Sequence, residues 1–420
     1  MVVPGVYLCR AVRSENTGIA EVLRFLVPEA EGFKTPRSPL FFPLIFQVTF
    51  ALRNIITQKS NMIPIQKGRN SRTGECIMPA IWDLPDFDSH EAVHVFDDRA
   101  TGLQAVIAVH STHLGPAAGG TRFWHYGDSQ AAITDALRLS RGMSYKNAMA
   151  GLSAGGGKAV ILANPQRAKP QDMLDAFARA VDSLGGKYIT AQDVGMSEAD
   201  MVSLSKVTRH VAGLPDQGGD PGPYTARGVY LGVQAAAKHA LGSDDMSGVH
   251  VAIQGVGSVG GGLARYLAEQ GAKLTLADVD AKRAAELAAE LGGTSVAADE
   301  IMQVEADIFS PCALGAVLTE ASVSALKVRA VAGGANNQLA TGPEGRMLAD
   351  RGILYAPDYV INAGGIINVL RHVENADDAE INRRIDAIPG RLSAIWTESD
   401  STGMTPAEVA DNMAQKLIGR

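Results

Sequence analysis

Hydrophobic and polar positions alternate along residues 91–109, and this period of two predicts two β-strands separated by a turn at Asp97–Gly102. From Asp128 to Met143 the apolar positions recur every three or four residues instead. That spacing predicts a helix, with Asp128 or Ser129 able to cap its first turn. This part of the chain is therefore expected to mix strands and helices.

A second helix is predicted over Pro170–Leu184, where one apolar stripe runs along the segment and Gly185-Gly186 ends it. Tyr188–Ala191 then predicts a short strand. The glycine- and proline-rich stretch Pro215–Pro223 follows, and it is the best internal candidate for a domain boundary.

Strands and helices alternate regularly from Thr225 onward, the pattern of a doubly wound parallel α/β sheet. The predicted strands are Val249–Gln254, Lys273–Ala277, Ile308–Phe309, Ala330–Ala332 and Ile353–Tyr355. The predicted helices are Ser258–Gln270 and Ala281–Leu291, and the last fifty or so residues are helical and charged.

Residues 1–77 differ in composition from the rest of the chain. They contain ten Lys and Arg against five Asp and Glu, a net charge of +5, whereas the remaining residues carry −12, for a total of −7. Their apolar run Pro39–Leu52 is shorter than the ~20 residues that span a bilayer, and Pro43 interrupts it. We expect a poorly ordered extension outside the folded core. A partner-binding segment and a transit-type extension are the alternatives.

The composition argues against several classes of protein. With 46% hydrophobic and 20% charged residues the chain is globular rather than disordered. Its isoelectric point near 5.8 argues against a dedicated nucleic-acid binder. Three cysteines cannot build a disulfide framework, which predicts a reducing compartment such as the cytoplasm. The nine histidines are scattered, so no metal site is expected. No membrane association is expected either, since the apolar run is too short to span a bilayer.

A dinucleotide-binding motif follows the predicted strand Val249–Gln254. Its glycines permit a tight turn and let a pyrophosphate approach the backbone N–H groups at the start of the next helix. Asp278 ends the following strand, where a carboxylate accepts both ribose hydroxyls and repels a 2′-phosphate. The sequence therefore predicts NAD rather than NADP as the cofactor. The residues expected to hold it are Gly255, Gly257, Ser258, Val259, Gly260 and Asp278.

Two lysines lie in or behind glycine-rich segments upstream of that motif. Lys146 belongs to Ser-Tyr-Lys-Asn, and Lys158 directly follows three glycines. The second segment is not a P-loop, because Leu152 stands where the first glycine is required and Ala159 replaces the Ser or Thr that would hold Mg²⁺. A third charged candidate, Asp193, comes just after the predicted strand at Tyr188–Ala191.

Glycine is abundant, at 45 of 420 residues, and much of the excess is paired or tripled. Glycine permits tight turns and close approach of the backbone to a ligand. We therefore expect ligand-facing turns at Gly119-Gly120, Gly155–Gly157, Gly333-Gly334 and Gly364-Gly365.

Seven motifs together resemble the Glu/Leu/Phe/Val (amino-acid) dehydrogenase family, in its leucine, valine and phenylalanine branch rather than its glutamate branch. They are GPAAGGTR (115–122), YKNAMAGLSAGGGK (145–158), TAQDVG (190–195), GVGSVG (255–260), PCALGA (311–316), GGANNQL (333–339) and APDYVINAGGIINV (356–369). The resemblance covers the chain from about residue 78. It implies an NAD-dependent, reversible oxidative deamination of an L-amino acid to the 2-oxo acid, ammonia and NADH, carried out by a homo-oligomer.

The resemblance also implies a domain plan. Residues 78–222 would form an N-terminal α/β substrate and dimerisation domain, and residues 223–370 a Rossmann-type NAD domain, with a cleft between them. Residues 371–420 would be helices that pack back toward the substrate domain.

Roles for individual residues follow from the same resemblance. The lysine of YKN holds the substrate carboxylate, which gives that role to Lys146, and the lysine after the three glycines, Lys158, is catalytic. Asp193 then assists proton transfer and Asn362 helps to orient the substrate. One departure is Gln192, where glutamate is expected. Further contacts are implied with the substrate at Gly119 and Gly120, and with the cofactor at Thr225, Cys312, Ala313 and Asn336.

The side chain of the substrate is expected to meet Ala118, Ala191, Ile366 and Val369, all small or aliphatic. None of them offers a partner for a γ-carboxylate, and an unpaired buried charge is costly, so glutamate is disfavoured. Ala118 stands where leucine-type members usually carry leucine, which leaves room for an aromatic ring. We expect a branched-chain amino acid, leucine first, with phenylalanine and valine as alternatives. An NAD-binding regulatory protein without catalytic activity is the rival function, and the intact lysines and aspartate argue against it.

Overall fold

The computed structural model describes residues 80–164, 169–313 and 315–420, and the expectation for residues 1–77 lies outside them. The described chain forms two α/β domains, each built on its own sheet, which confirms the expected fold class. The strands are Ala92–Asp98 (β1), Leu103–Ser111 (β2), Ala117–Trp124 (β3), Gly155–Leu162 (β4), Tyr188–Gln192 (β5), His250–Gln254 (β6), Lys273–Ala277 (β7), Thr294–Ser295 (β8), Ile308–Pro311 (β9), Ala330–Val331 (β10) and Leu354–Tyr355 (β11).

Thirteen α-helices accompany these strands in the described part of the chain. They are Ser129–Met149 (α1), Gln171–Asp182 (α2), Glu198–Ser205 (α3), Gly222–Leu241 (α4), Ser258–Glu269 (α5), Ala281–Leu291 (α6), Glu320–Ala325 (α7), Glu344–Asp350 (α8), Asp358–Ile361 (α9), Gly364–Val369 (α10), Asp378–Asp386 (α11), Ile388–Thr402 (α12) and Pro406–Leu417 (α13). Among these described helices, none is long and apolar enough to cross a membrane.

The first sheet is mixed and has the strand order β1-β2-β4-β3-β5. β1 and β2 form the antiparallel pair that the alternating pattern predicts, with Ala92 opposite Val109. β4 runs antiparallel to β2 but parallel to β3, and β3 runs parallel to β5. Alternate side chains of the sheet pack on α1 and on α2, so both of its faces are covered and the inner strands are buried, while the edge strand β1 is partly exposed.

The glycine segments of the first domain are strands, so the expectation that they form ligand-facing turns is wrong there. Gly119 and Gly120 lie in β3, and Gly155–Gly157 lie in β4. A Cβ on Gly156 would lie 2.0 Å from the backbone nitrogen of Ser144 in α1, and one on Gly119 would lie 1.9 Å from a carbonyl oxygen of β4. Glycine is required because helix and strand backbones approach each other so closely.

In the second domain the paired glycines lie close to other backbone segments, and Gly334 and Gly365 also lie on the wall of the cavity described below, as expected for ligand-facing positions. Gly364 and Gly365 open helix α10, and a Cβ on Gly364 would lie 2.1 Å from the carbonyl oxygen of Tyr224 in α4. A Cβ on Gly333 would lie 2.3 Å from the carbonyl oxygen of Pro311, at the end of β9. These glycines therefore permit close packing of backbone segments beside the site.

Helix α1 extends six residues beyond its predicted end at Met143, to Met149. Asp128 caps it by accepting a hydrogen bond from the N–H of Ala131 at 2.7 Å. The polar residues after Met143 interrupt the apolar pattern, but they are buried because they bond to the sheet. Asn147 donates to the carbonyl oxygens of Gly155 at 2.6 Å and Ala118 at 3.3 Å. The lysine of this segment consequently lies on a helix anchored to the sheet.

The second sheet is parallel throughout, in the order β11-β10-β9-β6-β7-β8. The bounds of β7 and α6 are those predicted, and β6 and α5 differ from prediction by one residue. β7 lies on one side of β6 and β9 on the other, so the strand order reverses at the carboxyl end of β6. Ligands bind at such a switch point in open α/β sheets.

The C-terminal helices connect elements of both domains. Trp396 of α12 is buried and donates to the carbonyl oxygen of Tyr355 in β11 at 2.9 Å. α13, capped by Thr405 and Glu408, packs against α1 of the first domain. There Gln415 donates to the hydroxyl of Tyr145 at 3.0 Å.

Candidate active site

A cavity of about 680 Å³ lies between the two sheets and takes residues from both domains. β3, β4 and the segment after β5 supply one side, and the segments around α9 and α10 supply the other. The predicted site residues on its wall are Gly120, Lys146, Lys158, Ala191, Asp193, Thr225, Val259, Asn336, Asn362, Ile366 and Val369.

Two of the predicted substrate residues do not reach this wall. Ala118 is buried in a core cluster that includes Tyr145 and Ala148. Gly119 is packed against β4, and its carbonyl oxygen accepts a hydrogen bond from the hydroxyl of Tyr188 at 2.7 Å. Both residues therefore lie behind the cavity surface, in β3.

Lys158 and Asp193 form an ion pair at the cavity. β4 carries Lys158 and β5 ends one residue before Asp193, and the Nζ–Oδ2 distance is 2.6 Å. The side chain of Lys158 is only 7% exposed. Burial lowers the pKa of Lys158 below its ordinary value, although Asp193 opposes the shift. A lysine with a lowered pKa loses its proton more readily and can serve as a base.

Asp193 stays ionised in this setting. Burial alone would raise the pKa of its carboxyl group, but the adjacent cations of Lys158 and Arg122 lower it below the ordinary value. The result is a carboxylate between two cations at the edge of the cavity. Such a group can accept a proton from a bound ligand and return it.

Lys146 projects from α1 toward the same cavity, and its Nζ lies 3.4 Å from Oδ1 of Asn336. Burial, together with the smaller effect of the nearby Lys158, lowers the pKa of Lys146 to about 8, although Asp358 and Asp193 oppose the shift. Lys146 is therefore a cation at neutral pH, a suitable partner for a carboxylate.

Asn362 has an unsatisfied acceptor at the cavity. Its amide nitrogen donates to the carbonyl oxygen of Gly334 at 3.2 Å and to Oδ1 of Asn336 at 2.8 Å. Its own Oδ1 is buried and has no hydrogen-bond partner among the described residues. A buried acceptor of this kind is costly unless a ligand or a water donates to it. The amino group of a small molecule would meet that need.

The glycine motif forms the turn between β6 and α5. Gly255 has φ 87°, and a Cβ on Gly260 would lie 1.9 Å from the carbonyl oxygen of Gly255, so both positions require glycine. Gly257 faces open space, and no side chain caps the first turn of α5. The free N–H groups of that turn fit a dinucleotide pyrophosphate. Ser258 and Val259 begin the helix.

Asp278 and the segment after β9 flank this turn. Asp278 is 7% exposed and accepts hydrogen bonds from the N–H of Val256 at 2.8 Å and from Arg283 at 2.7 Å. Hydrogen bonds and the Arg283 charge outweigh burial and lower its pKa, so it is ionised. Ala313 packs beside Gly255, and Cys312 accepts a hydrogen bond from the N–H of Gly334 at 3.4 Å. Burial raises the pKa of the Cys312 thiol, which keeps it neutral.

The chain is similar in sequence to known amino-acid dehydrogenases. The family descriptions "Glu/Leu/Phe/Val dehydrogenase, dimerisation domain" and "Glutamate/Leucine/Phenylalanine/Valine dehydrogenase" match residues 89–210 and 276–399. Leucine dehydrogenase of Thermoactinomyces intermedius is 43% identical over 341 residues, 80% of this chain and 93% of that protein. The chain belongs to the Glu/Leu/Phe/Val dehydrogenase family.

Other relatives of this dehydrogenase act on different amino acids. Valine dehydrogenase of Streptomyces virginiae is 44% identical over 339 residues, which cover 79% of this chain and 95% of that protein. The crystal structure of L-tryptophan dehydrogenase from Nostoc punctiforme superimposes with a TM-score of 0.71 at 42% identity, covering 78% and 96% of the two chains. The protein is thus an amino-acid dehydrogenase of the branch that contains leucine, valine and tryptophan enzymes.

The dehydrogenase has charged cavity residues that the sequence does not single out, namely Asp220, which precedes α4, and the pair Arg122 and Asp358. The latter two lie inside quoted motifs, but a motif alone does not say which of its residues face a ligand. Asp358 begins α9, and burial raises the pKa of its carboxyl group. Leu139 and Met143 of α1 add apolar walls. Leu139, Met143 and Lys146 are spaced four and three residues apart, so they share one face of the helix, and this spacing is the signal in the sequence that predicts the two apolar residues beside Lys146.

The pKa of Lys146 predicts how carboxylate binding by the dehydrogenase depends on pH. Lys146 is protonated below about 8 and loses its charge above that value. We expect the inhibition constant of 4-methylpentanoate, a carboxylate without an amino group, to be flat at lower pH and to rise about tenfold per pH unit above that value. Steady-state inhibition at saturating NAD measures it.

Lys146→Arg is the matched variant for this measurement, because arginine does not lose its proton in the range tested. Its inhibition constant is expected to be independent of pH, even if binding is weaker. A wild-type inhibition constant that does not change across the range would contradict the role of Lys146.

Proposed function

We propose that this enzyme catalyses the NAD-dependent, reversible oxidative deamination of a branched-chain L-amino acid, leucine first, to the 2-oxo acid, ammonia and NADH. The observation that carries the proposal is the convergence of the Lys158–Asp193 pair and the cationic Lys146 on one cavity. One group can bind the substrate carboxylate while the other two move protons. The cavity also takes residues from the domain that holds the glycine motif.

The residues of this chain act on the substrate in a defined order. Lys146 binds the carboxylate, and the unpartnered Oδ1 of Asn362 accepts a hydrogen bond from the amino group. Asp193 accepts a proton from that amino group. Bound NAD supplies the redox step, in which a hydride leaves Cα and the C–N bond becomes an imine.

Lys158 then serves the hydrolytic half of the reaction. Neutral Lys158 takes a proton from water as the water oxygen attacks the imine carbon. Protonated Lys158 stabilises the oxygen of the resulting carbinolamine. Asp193 returns its proton to the nitrogen, the C–N bond breaks to release ammonia, and the hydroxyl proton is lost to solvent as the carbonyl of the 2-oxo acid forms. Closure of the cavity would exclude bulk water from the path of the hydride.

The choice of side chain rests on the cavity wall. Ala191, Ile366 and Val369 line it, with Leu139 and Met143 from α1. These five side chains are apolar, so a γ-carboxylate on the substrate would remain unpaired among them. An aromatic substrate is the second candidate, favoured by the small Gly120, Gly142 and Ala191 on the same wall and by the tryptophan dehydrogenase relative.

NAD is proposed over NADP because ionised Asp278 would face the ribose of the bound cofactor. Its carboxylate accepts hydroxyl groups and repels a phosphate. Arg283 neutralises part of this charge at 2.7 Å, so we expect the preference to be finite rather than absolute.

We also infer a cytoplasmic location, as three cysteines in 420 residues suit a reducing compartment. A homo-oligomer is proposed in view of the dimerisation domain named at residues 89–210.

The experiment that tests the proposed function measures NADH formation by the full chain with leucine, valine, phenylalanine, tryptophan and glutamate, and repeats it with NADP. We expect kcat/KM to be highest with leucine and NAD and at least about a hundredfold lower with glutamate. Higher activity with phenylalanine or tryptophan than with leucine would show that the enzyme prefers an aromatic substrate, and the proposed preference for leucine would be wrong. Absence of activity with every amino acid, despite NAD binding, would refute the proposed reaction.

A further inference from the structure

Arg122 lies between the reacting pair and a second carboxylate. It comes from β3, and its Nε lies 3.2 Å from Oδ2 of Asp193, the same oxygen that Lys158 contacts at 2.6 Å. Its Nη1 lies 2.8 Å from Oδ2 of Asp135 in α1. Two cations therefore share one carboxylate oxygen, and only one of them, Lys158, can lose its proton within an ordinary pH range.

The outer end of this arrangement is fixed independently of the cavity. Asp135 also accepts hydrogen bonds from the hydroxyl of Tyr126 at 2.7 Å and from Arg138 at 3.0 Å. The side chain of Asp135 is 12% exposed and that of Arg122 is 23% exposed. The guanidinium of Arg122 is consequently held in one orientation, with its Nε directed at Asp193.

An isolated Lys158–Asp193 pair would work against catalysis. A carboxylate at 2.6 Å stabilises the protonated form of the lysine, and it would lose its only cationic partner whenever the lysine became neutral. A permanent cation on the same oxygen changes both effects. It repels the proton on Lys158, and it keeps Asp193 paired after that proton has left.

We propose that Arg122 is a positioning residue, which holds Asp193 ionised and in place so that Lys158 can give up its proton to act as the base. The proposal rests on the proposed function, because it assigns Arg122 a part in the same proton transfers. Arg122 touches no reacting atom in this scheme; it acts through Asp193.

The other ionisable groups near this pair are accounted for. Lys146 from α1 is a second cation at the cavity. Among the charged groups, Asp358 from α9 has the largest effect on the pKa of Lys146. Asp135 acts on Lys158 from α1 in the opposite sense to Arg122. Tyr126 donates to Asp135 and also interacts with Arg122, while Arg138 contacts Asp135. None of these groups forms an ion pair with Oδ2 of Asp193, so removing Arg122 leaves Lys158 as the one cation on that oxygen among the described residues. The backbone N–H of Val194 also hydrogen-bonds the carboxylate and is unchanged in the variant.

The test compares the full-length wild-type enzyme with Arg122→Gln by two readouts. In the first, kcat/KM for leucine is measured against pH; its acid limb should move up by about one pH unit, with about a tenfold loss near neutral pH that is regained at alkaline pH. In the second, trace labelling with acetic anhydride and mass spectrometry follow the pH at which the Lys158 amine becomes reactive. Its midpoint should rise by the same amount.

Arg138→Gln is the matched control, since it removes the same charge from the same Asp135 without a contact to Asp193. Its two midpoints should stay at the wild-type values. Arg122→Lys keeps the charge but shortens the reach, so a smaller shift in the same direction is expected, and this variant carries the test if Arg122→Gln does not fold. An unchanged midpoint, or a loss of activity that is equal at every pH, overturns the proposal. Because labelling needs no turnover, it remains decisive even if no amino acid proves to be a substrate.

Discussion

Lys158→Ala is expected to lower kcat for amino-acid oxidation by at least about 10³-fold while leaving NAD binding intact. The reason is local: Lys158 is a buried amine with a lowered pKa, paired with Asp193 at the cavity, and alanine offers no base in its place. Asp193 retains Arg122 as a partner in the variant, so the fold should survive. Initial rates of NADH formation and a fluorescence titration with NAD measure the two effects.

The control for this variant is Lys206→Ala, which removes an exposed lysine at the end of α3. Its kcat should equal that of the wild type. If Lys158→Ala retained activity within tenfold of the wild type, the assignment of Lys158 as the base would fail. A simultaneous loss of NAD binding would show instead that the variant is misfolded.

Gly156→Ala is expected to have the largest effect on stability. Its new Cβ would lie 2.0 Å from the backbone nitrogen and 2.2 Å from the hydroxyl oxygen of Ser144, so α1 would have to move away from β4. Backbone atoms cannot turn aside as a flexible side chain can. We expect the free energy of unfolding to fall by about 3 kcal/mol or more, measured by urea denaturation of the full chain.

Gly390→Ala is the matched control, because Gly390 lies within α12 and a Cβ there would meet nothing within 4 Å. That substitution should be neutral or stabilise the protein by up to about 1 kcal/mol. Equal stability of Gly156→Ala and the wild type would mean that α1 and β4 are not packed as described.

The second domain could be predicted well because each of its signals is local. A strand, a glycine turn with φ 87° at Gly255 and a helix follow one another without interruption, and Asp278 closes the next strand. Each of these features is recognised from residues adjacent in the chain, so the sequence alone was sufficient to predict them. Short apolar strands such as Ala330–Val331 were also found, because they are isolated apolar segments between turns, whereas the polar, exposed strand Thr294–Ser295 was not predicted.

The first domain was harder to predict because its glycines serve tertiary packing. Gly155–Gly157 look like a ligand-binding turn in sequence, but they form a central strand whose neighbour α1 leaves no room for side chains. The same contact hides the end of α1, where buried polar residues such as Asn147 bond to the sheet rather than to water. Nothing in the local sequence distinguishes such a strand from a loop.

The site shows the same division between local and tertiary information. Lys158 directly follows three glycines, Asp193 lies two residues before Gly195, and Lys146 lies in the same segment as the glycines before Lys158, so each can be singled out from the sequence. Arg122 and Asp358 cannot, because their importance comes from what lies next to them in space. Arg122, for example, is the last residue of its motif, and its role depends on the carboxylate of Asp193, which is distant in sequence.

The packing of α13 on α1 has a consequence for protein engineering. The last helix supports the one that carries Lys146, through Gln415 and Tyr145, although more than 250 residues separate them in sequence. The spatial unit that surrounds Lys146 is therefore discontinuous in the gene. A chimaera that exchanges residues 80–221 for those of a relative has to bring that relative's counterpart of α13 with it, or the new helix will meet a surface shaped for the old one.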